Sequence, residues 1–203
     1  MKRCFDILAS IIGLAVLSPL MIGCAVLVKL TSEGPIFFKQ QRLGLGGKHF
    51  NILKFRSMVV NAENHGARVT ADGDKRITRI GRILRKTKMD ELPQLINVLK
   101  GEMSFVGPRP EVQEFVDCYP EEYKTLLTVR PGITDIGSIE FRDEEEILAA
   151  SENPKKTYIE DVLPQKIELG KRYIDDHSIL FDIQLIFRTL VAIVFKKKPG
   201  NSD

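Results

Sequence analysis

The chain has 203 residues, 43% of them hydrophobic, which is enough for one globular domain with its own core. A formal net charge of +3 is too small to indicate nucleic-acid binding, and the chain has no Trp and few other aromatic residues on which bases could stack. The three cysteines and three histidines show no disulfide or metal-ligand spacing, which fits a reducing, cytoplasmic setting.

An almost unbroken apolar segment runs from Phe5 to Leu30. As a helix it would be roughly 39 Å long, which is enough to cross a bilayer. A signal peptide is the weaker interpretation, because apolar residues continue beyond Cys24 and no secretory cysteine framework follows. Composition alone therefore favours a plain transmembrane span.

A re-entrant helical hairpin is the alternative to that span. Ser18 and Pro19 lie at the middle of the segment, and Pro19 lacks the N–H that would bond the carbonyl of Ala15. The Ser18 hydroxyl can bond back to Leu14 and bend the helix further. Basic residues at both ends of the segment favour the cytoplasmic side for each end, which requires the helix to enter the membrane and return.

Two short strands are predicted next, Ile36 to Gln40 and Phe50 to Phe55, joined by a Gly-rich turn into a hairpin. The turn lacks the Lys-Ser/Thr of a phosphate-binding loop. Lys54 and Arg56 flank Phe55 and therefore share one face of the strand. That face is either simply solvated or cationic for a functional reason.

A basic amphipathic helix is predicted from Lys75, with an apolar stripe that begins at Ile77. Its basic residues indicate a solvated face, attachment to a membrane surface or a cradle for phosphate. Arg85 lies about one helical turn before Asp90, so it is the arginine of this helix best placed to meet the same ligand as Asp90.

Two adjacent acids, Asp90 and Glu91, open a short apolar helix that Gly101 ends. Pro93 suits the first helical turn, where its missing N–H would have no partner. The positive end of this helix faces the acids and can hold phosphate. Asp90 could also serve only as a helix cap. Arg109 follows between two prolines, and its guanidinium fork suits a diphosphate.

The remainder of the chain predicts short amphipathic helices, and the whole predicts a mostly helical α+β fold without a second domain. Arg130 stands in a rigid Arg-Pro-Gly turn that is either a structural corner or another arginine presented to an anion. Ser178 caps an apolar helix from Ile179 to Phe195 that lies in the membrane plane or in the core. The lysines at 196–198 resemble an anchor for anionic headgroups.

Several motifs in this order resemble those of the bacterial sugar transferases, the monotopic phosphoglycosyl transferases. They span nearly the whole chain and comprise residues 2–6, 18–19, 34–44, 54–58, 90–101, 103–110 and 130–134. After Thr134 the family often continues with Gly, a hydrophobic or aromatic pair and Gln-Val. This chain departs from that pattern with Asp135-Ile136-Gly137-Ser138, at a position that bears on the sugar preference.

The resemblance implies transfer of a sugar-1-phosphate from a UDP-sugar to polyprenyl (undecaprenyl) phosphate, the first membrane step of polysaccharide or glycoprotein glycan assembly. From the residues we predict a two-step reaction, in which Asp90 attacks the sugar-bearing phosphorus, releases UMP and forms an aspartyl-phosphosugar. Glu91 orients Asp90, ligates a metal or handles a proton. We expect Mg²⁺ on Asp90 and Glu91. The cations expected to bind the phosphates or the nucleotide are Lys54, Arg56, Arg85, Arg109 and Arg130.

The resemblance also implies a re-entrant break at Ser18 and Pro19, which reverses the preference from composition. Residues 1–32 then form a membrane hairpin, and residues 33–203 form a catalytic domain with interfacial helices on the cytoplasmic face of the inner membrane. The expected partners are the UDP-sugar, polyprenyl phosphate and membrane lipids, with no nucleic acid; a homodimer and downstream glycosyltransferases are further candidates. Rival functions are a membrane phosphohydrolase of nucleotide sugars and a non-catalytic scaffold for glycan assembly.

Overall fold

A computed structural model describes residues 2–62, 70–71 and 73–194. These ranges form a mostly helical α+β fold with two small two-stranded sheets, as predicted. The predicted lysine anchor at 196–198 lies outside them. The helices are α1 (Lys2–Thr31), α2 (Arg79–Lys86), α3 (Gln94–Lys100), α4 (Gln113–Val116), α5 (Pro120–Leu126), α6 (Ile136–Glu140), α7 (Glu144–Ala149), α8 (Pro154–Thr157), α9 (Leu163–Asp176) and α10 (Ile179–Val194). The strands are β1 (Phe37–Leu43), β2 (His49–Phe55), β3 (Ser104–Val106) and β4 (Gly132–Thr134).

The apolar segment forms α1, a helix of 30 residues that contains Pro19. Within the described ranges it is the one helix that is long and apolar enough to cross a membrane, and large apolar side chains such as Val16 are exposed along it. Pro19 cannot donate to the carbonyl of Ala15, and the Ser18 hydroxyl donates to that carbonyl instead, at 2.8 Å. The predicted bond from Ser18 to Leu14 is therefore wrong by one residue. Helical structure continues on both sides of Pro19, so the re-entrant course stays a prediction.

Polar residues near the start of α1 attach this helix to the rest of the chain. The carboxylate of Asp6 is buried and accepts hydrogen bonds from the hydroxyl of Ser104 and the amide of Phe105, at 3.0 and 3.1 Å. Arg3 donates to the carbonyls of Val98 and Leu99, which are among the last of α3. Since carbonyls at a helix end lack partners within the helix, Arg3 closes α3 and fixes it against α1.

Strands β1 and β2 form the predicted antiparallel hairpin, with Phe37 opposite Phe55 and Leu43 opposite His49. The strand β1 is longer than predicted, because pairing with β2 continues to Leu43, whose amide also donates to the carbonyl of Glu111 at 3.0 Å. The hairpin carries Lys54 next to Phe55, which is almost fully buried.

The Arg-Pro-Gly segment, predicted as a turn, leads directly into β4, which pairs in parallel with β3. Neither strand is predicted from the sequence, because each has only three residues. A Cβ atom on Gly132 would lie 2.1 Å from the backbone nitrogen of Gly107, so only glycine permits this close approach. The pairing brings the segment around Arg109 beside the segment that follows Thr134.

The basic helix α2 begins at Arg79 rather than at Lys75. Thr78 caps it by accepting a hydrogen bond from the amide of Gly81 at 2.9 Å. Ile77 lies outside the helix and pairs with Met58 in an isolated β-bridge, so the expected stripe starts one turn later.

Four apolar clusters occur among the described residues, and two of them position the candidate site. The larger one joins α4, α5 and α9 and includes Phe115, Leu126 and Leu163. The other lies between α1, the hairpin and α2, and includes Val28 and Phe55. Because the second cluster binds α1 to the elements that carry Lys54 and Arg85, it places the candidate site beside the apolar helix.

The last described helix, α10, begins as predicted, with the hydroxyl of Ser178 accepting a hydrogen bond from the amide of Phe181 at 3.1 Å. One side of α10 packs inward through Leu185, whereas Phe187 is exposed. One face of α10 therefore lies in the core and an apolar face is exposed, and the placement of that face in the membrane plane stays a prediction.

Candidate active site

The two adjacent acids lie in a 3₁₀ turn, Met89–Glu91, that precedes α3. The prediction that they open the α-helix itself is wrong by one turn, because α3 begins at Gln94 after Pro93. Gly101 ends α3 in the left-handed conformation, as predicted. Lys88 also has a positive φ of 56°, which is uncommon for a non-glycine residue and favours a functional interpretation of this turn.

Asp90 is buried, with 5% of its surface exposed, and its Oδ1 atom has no hydrogen-bond partner. It makes no capping hydrogen bond to α3, which removes the simplest structural role for this residue. Burial, and secondarily the charge of Glu91, raises the pKa of Asp90 to about 6. Asp90 therefore lies buried beside charged groups, with one carboxylate oxygen free for another atom.

Glu91 has the opposite environment, because two cations bind one of its oxygens. Lys54 Nζ lies 2.7 Å and Arg109 Nη2 lies 2.8 Å from Glu91 Oε1. Burial alone would raise the pKa of Glu91, but the charges of Arg109 and Lys54 outweigh it and hold that pKa well below its ordinary value. The ionised form of Glu91 is therefore favoured, and it holds two cations at one oxygen.

The charges of this cluster nearly cancel. Lys54 and Arg109 contribute two positive charges, and Asp90 and Glu91 contribute two negative charges when both are ionised. Burial lowers the pKa of Lys54, and the charge of Glu91 opposes this effect. For Arg109 the charge of Glu91 outweighs burial and raises the pKa. A diphosphate would add further negative charge, so its binding needs additional cations.

Arg85 is placed near Asp90, as predicted, and its charge lowers the pKa of Asp90 against the effect of burial. Its guanidinium, however, pairs with Glu145 of α7. The sequence spacing indicates that Arg85 lies near Asp90. It does not indicate the pair with Glu145, because Glu145 lies 60 residues further along the chain.

Arg56 and Arg130 have partners elsewhere. Arg56 Nη2 donates to the carbonyl and the hydroxyl of Ser32, both at 2.7 Å, just after α1. Arg130 Nε donates to the carbonyl of Gly101 at 2.9 Å, as a structural corner would. Among the described residues, Lys54 and Arg109 pair directly with Glu91, whereas Arg56 and Arg130 do not.

Asn97 is a positioning residue that the sequence analysis missed. This fully buried side chain accepts a hydrogen bond from the amide of Leu53 at 3.0 Å and donates one to the carbonyl of Asn51 at 2.8 Å. It thereby joins α3 to β2 immediately before Lys54. The sequence feature that could have indicated this role is a single Asn on the apolar side of a short helix.

The described residues of the site form no preformed cage of metal ligands. No group of three or more metal-ligating side chains occurs in the described ranges. Two small cavities that border Arg109 have volumes of about 20 and 10 Å³, room for about one water each. Neither cavity is lined by Asp90 or Glu91.

The buried carboxylate of Asp90 gives a stability prediction. Its folded-state pKa of about 6 exceeds the ordinary value of 3.8, so folding favours the protonated form and stability falls as pH rises between these values. Above about pH 6 the ionised carboxylate costs about 2–3 kcal/mol. We expect Asp90→Asn to raise the apparent melting temperature by about 5 °C at about pH 8 without divalent cations, and by less at about pH 5.

Thermal unfolding in detergent measures this difference. Asp175→Asn, which makes the same change on the exposed side of α9, should leave the melting temperature unchanged at both pH values. A loss of stability in Asp90→Asn would show that Asp90 has a structural role, such as a cap.

Comparison with known proteins places this site in a family. The bacterial sugar transferase profile matches residues 1–196. The UDP-N-acetylgalactosamine-undecaprenyl-phosphate N-acetylgalactosaminephosphotransferase of Aeromonas hydrophila is 43% identical over 95% of the chain, and the match covers 43% of that protein. The UDP-glucose:undecaprenyl-phosphate glucose-1-phosphate transferase of Caulobacter vibrioides is 36% identical over 95% of the chain and 69% of its own length.

A third relative, the exopolysaccharide production protein PSS of Rhizobium leguminosarum bv. phaseoli, is 37% identical over 98% of the chain and 97% of its own length. The chain thus spans less than half of the Aeromonas protein and more than two thirds of the other two. The matched region contains Lys54, the acid pair and Arg109. The chain belongs to the bacterial sugar transferase family.

Proposed function

We propose that this protein transfers a sugar-1-phosphate from a UDP-sugar to polyprenyl phosphate and releases UMP. The observation that carries the proposal is the buried Asp90, with an unpartnered oxygen, beside a Glu91 that holds two cations. The names of the relatives, which specify UDP-sugars and undecaprenyl phosphate as their substrates, support the same reaction.

In the first step a carboxylate oxygen of Asp90 attacks the phosphorus that bears the sugar. A bond forms between that oxygen and phosphorus, while the bond from phosphorus to the bridging oxygen breaks, and UMP leaves with the electron pair. Two anions must approach each other in this step. Arg109 and Lys54, held by Glu91, are placed to offset that repulsion without reorganising during the reaction.

In the second step a phosphate oxygen of the polyprenyl acceptor attacks the same phosphorus. The bond from phosphorus to Asp90 breaks, which regenerates the carboxylate and yields the polyprenyl-diphosphate sugar. The attacking oxygen is already an anion, so neither step needs a general base. Of the three roles predicted for Glu91, that of proton carrier is therefore the least needed.

Mg²⁺ fits the donor set at this site. Asp90 has an unpartnered oxygen, and both cations of the cluster contact the same oxygen of Glu91, Oε1. Mg²⁺ usually binds to one or two carboxylates together with substrate phosphates, so a larger cage is not required. We propose that Asp90 and Glu91 would hold it, and that the ion when bound supplies charge neutralisation for the diphosphate.

The apolar helix α1 supports a membrane location for this reaction. Arg3 and Asp6 join its first turns to α3 and β3, so the acid pair is fixed relative to the apolar surface. We propose that α1 enters and leaves the inner membrane on its cytoplasmic face with a bend at Pro19, and that residues 33–203 form the catalytic domain. A homodimer and downstream glycosyltransferases stay predictions.

Product analysis tests the function. The purified protein is incubated in detergent with Mg²⁺, polyprenyl phosphate and either UDP-glucose or a UDP-N-acetylhexosamine, and UMP and the lipid product are measured. We expect UMP and a polyprenyl-diphosphate sugar in equal amounts. Release of free sugar phosphate without the lipid acceptor would favour a phosphohydrolase, and the absence of any UMP with all UDP-sugars would favour a scaffold.

A further inference from the structure

The segment that departs from the family pattern, Asp135 to Ser138, opens α6 directly after β4. Asp135 is buried and caps the helix, with its Oδ1 accepting a hydrogen bond from the amide of Ser138 at 2.8 Å. Its other oxygen, Oδ2, accepts a hydrogen bond from the hydroxyl of Ser138. Capping needs only the first of these bonds, so the second requires another explanation.

In the usual capping box the side chain at this position of the first turn reaches back to the backbone of the capping residue. Ser138 instead donates its hydroxyl proton to Asp135, which leaves only acceptor lone pairs on Ser138 Oγ. Nη1 of Arg109 lies 3.5 Å from that oxygen. The arginine guanidinium can only donate hydrogen bonds, so an oxygen that can only accept them is a suitable partner.

Arg109 is therefore held at two points. Nη2 donates to Glu91 at 2.8 Å, and Nη1 lies 3.5 Å from the Ser138 hydroxyl oxygen. The charge of Asp135 acts on Arg109 in the same direction as that of Glu91, because both raise its pKa. A guanidinium fixed at both ends keeps a single orientation, which a flexible arginine would lose to side-chain entropy.

We propose that Asp135 and Ser138 are positioning residues that hold the Arg109 guanidinium in the orientation needed to bind the transferring phosphate. This inference rests on the proposed function, in which Arg109 binds the diphosphate. Positioning matters most when charge moves to the leaving oxygen, so its loss affects turnover more than substrate binding.

The test compares Ser138→Ala, Ser138→Thr and Asp135→Asn with the wild-type protein in the UMP-release assay. We expect Ser138→Ala to lower kcat by about 10-fold with less than about a 2-fold change in KM for the UDP-sugar. Ser138→Thr keeps the hydroxyl and should restore kcat to within about 2-fold of wild type. Asp135→Asn keeps a capping acceptor but removes the charge, so it should lower kcat at an unchanged melting temperature.

Ser151→Ala is the matched control, because Ser151 bonds Thr157 and contacts no part of the site cluster. Wild-type activity in Ser138→Ala, or a loss that Ser138→Thr does not restore, would overturn the inference. The inference would also be overturned if Ser138→Ala and Asp135→Asn both lost activity only in proportion to a lowered melting temperature. In each of these cases the proposed function would still be upheld if the wild-type protein forms the lipid product and Asp90→Asn does not.

Discussion

Asp90→Asn is expected to abolish sugar-phosphate transfer while the protein still associates with membranes. The change replaces one oxygen by nitrogen and removes the nucleophilic charge, with little change in volume. Loss of a covalent nucleophile typically lowers kcat by more than about 1,000-fold. UMP release by the purified variant, together with its recovery in the membrane fraction, measures the two effects.

The combination of results identifies the role of Asp90. A residue that only supports the fold would lose activity and stability together. Here we expect activity to vanish while stability rises, because the buried carboxylate is costly when ionised. Asp175→Asn, on the exposed side of α9, should change neither property. Turnover in Asp90→Asn within about 10-fold of wild type would exclude Asp90 as the nucleophile.

Glu91→Gln is expected to lower both activity and stability, although Glu91 is the immediate neighbour of Asp90. Glu91 is the shared partner of Lys54 and Arg109, and its side chain is only 12% exposed. Removing one partner of a buried ion pair leaves charges without compensation and costs about 3 kcal/mol. With both cations misplaced, we expect kcat/KM to fall by about 100-fold or more.

The two neighbouring acid-to-amide changes should therefore move the melting temperature in opposite directions. Glu168→Gln, on the exposed side of α9, is the matched control for this second variant. A Glu91→Gln protein with wild-type stability would show that the pairs with Lys54 and Arg109 contribute little to the fold. Full activity in the same variant would remove Glu91 from the site.

The sequence was sufficient to predict the elements whose signal is local. The hairpin, the Gly101 helix end, the Ser178 cap and the apolar helix all depend on residue types within a few positions of each other. The acid pair and Arg109 were found through a motif, and the structure brings Glu91 and Arg109 into contact. Lys54 was selected for sharing a strand face with Arg56 and for lying in the motif at 54–58, but the structure gives the two residues different partners.

The features that were missed depend on contacts between distant parts of the chain. Pairing of β3 with β4 needs two three-residue strands to meet with glycines at 107 and 132, which no periodicity reveals. Likewise, the burial of Asp90 and the contact of Ser138 with Arg109 follow from packing of separate segments. The short helix predicted to start at Asp90 starts at Gln94, after a 3₁₀ turn that holds the acids and after Pro93.

Exchange of labelled UMP into the UDP-sugar, measured without polyprenyl phosphate, tests the covalent aspartyl-phosphosugar most directly. If Asp90 takes up the sugar phosphate before the lipid binds, the first step is reversible and label enters the UDP-sugar in the wild-type protein. The same experiment with Asp90→Asn should show no exchange. Absence of exchange in a wild-type protein that transfers sugar phosphate to the lipid at its full rate would contradict the covalent intermediate and indicate direct transfer.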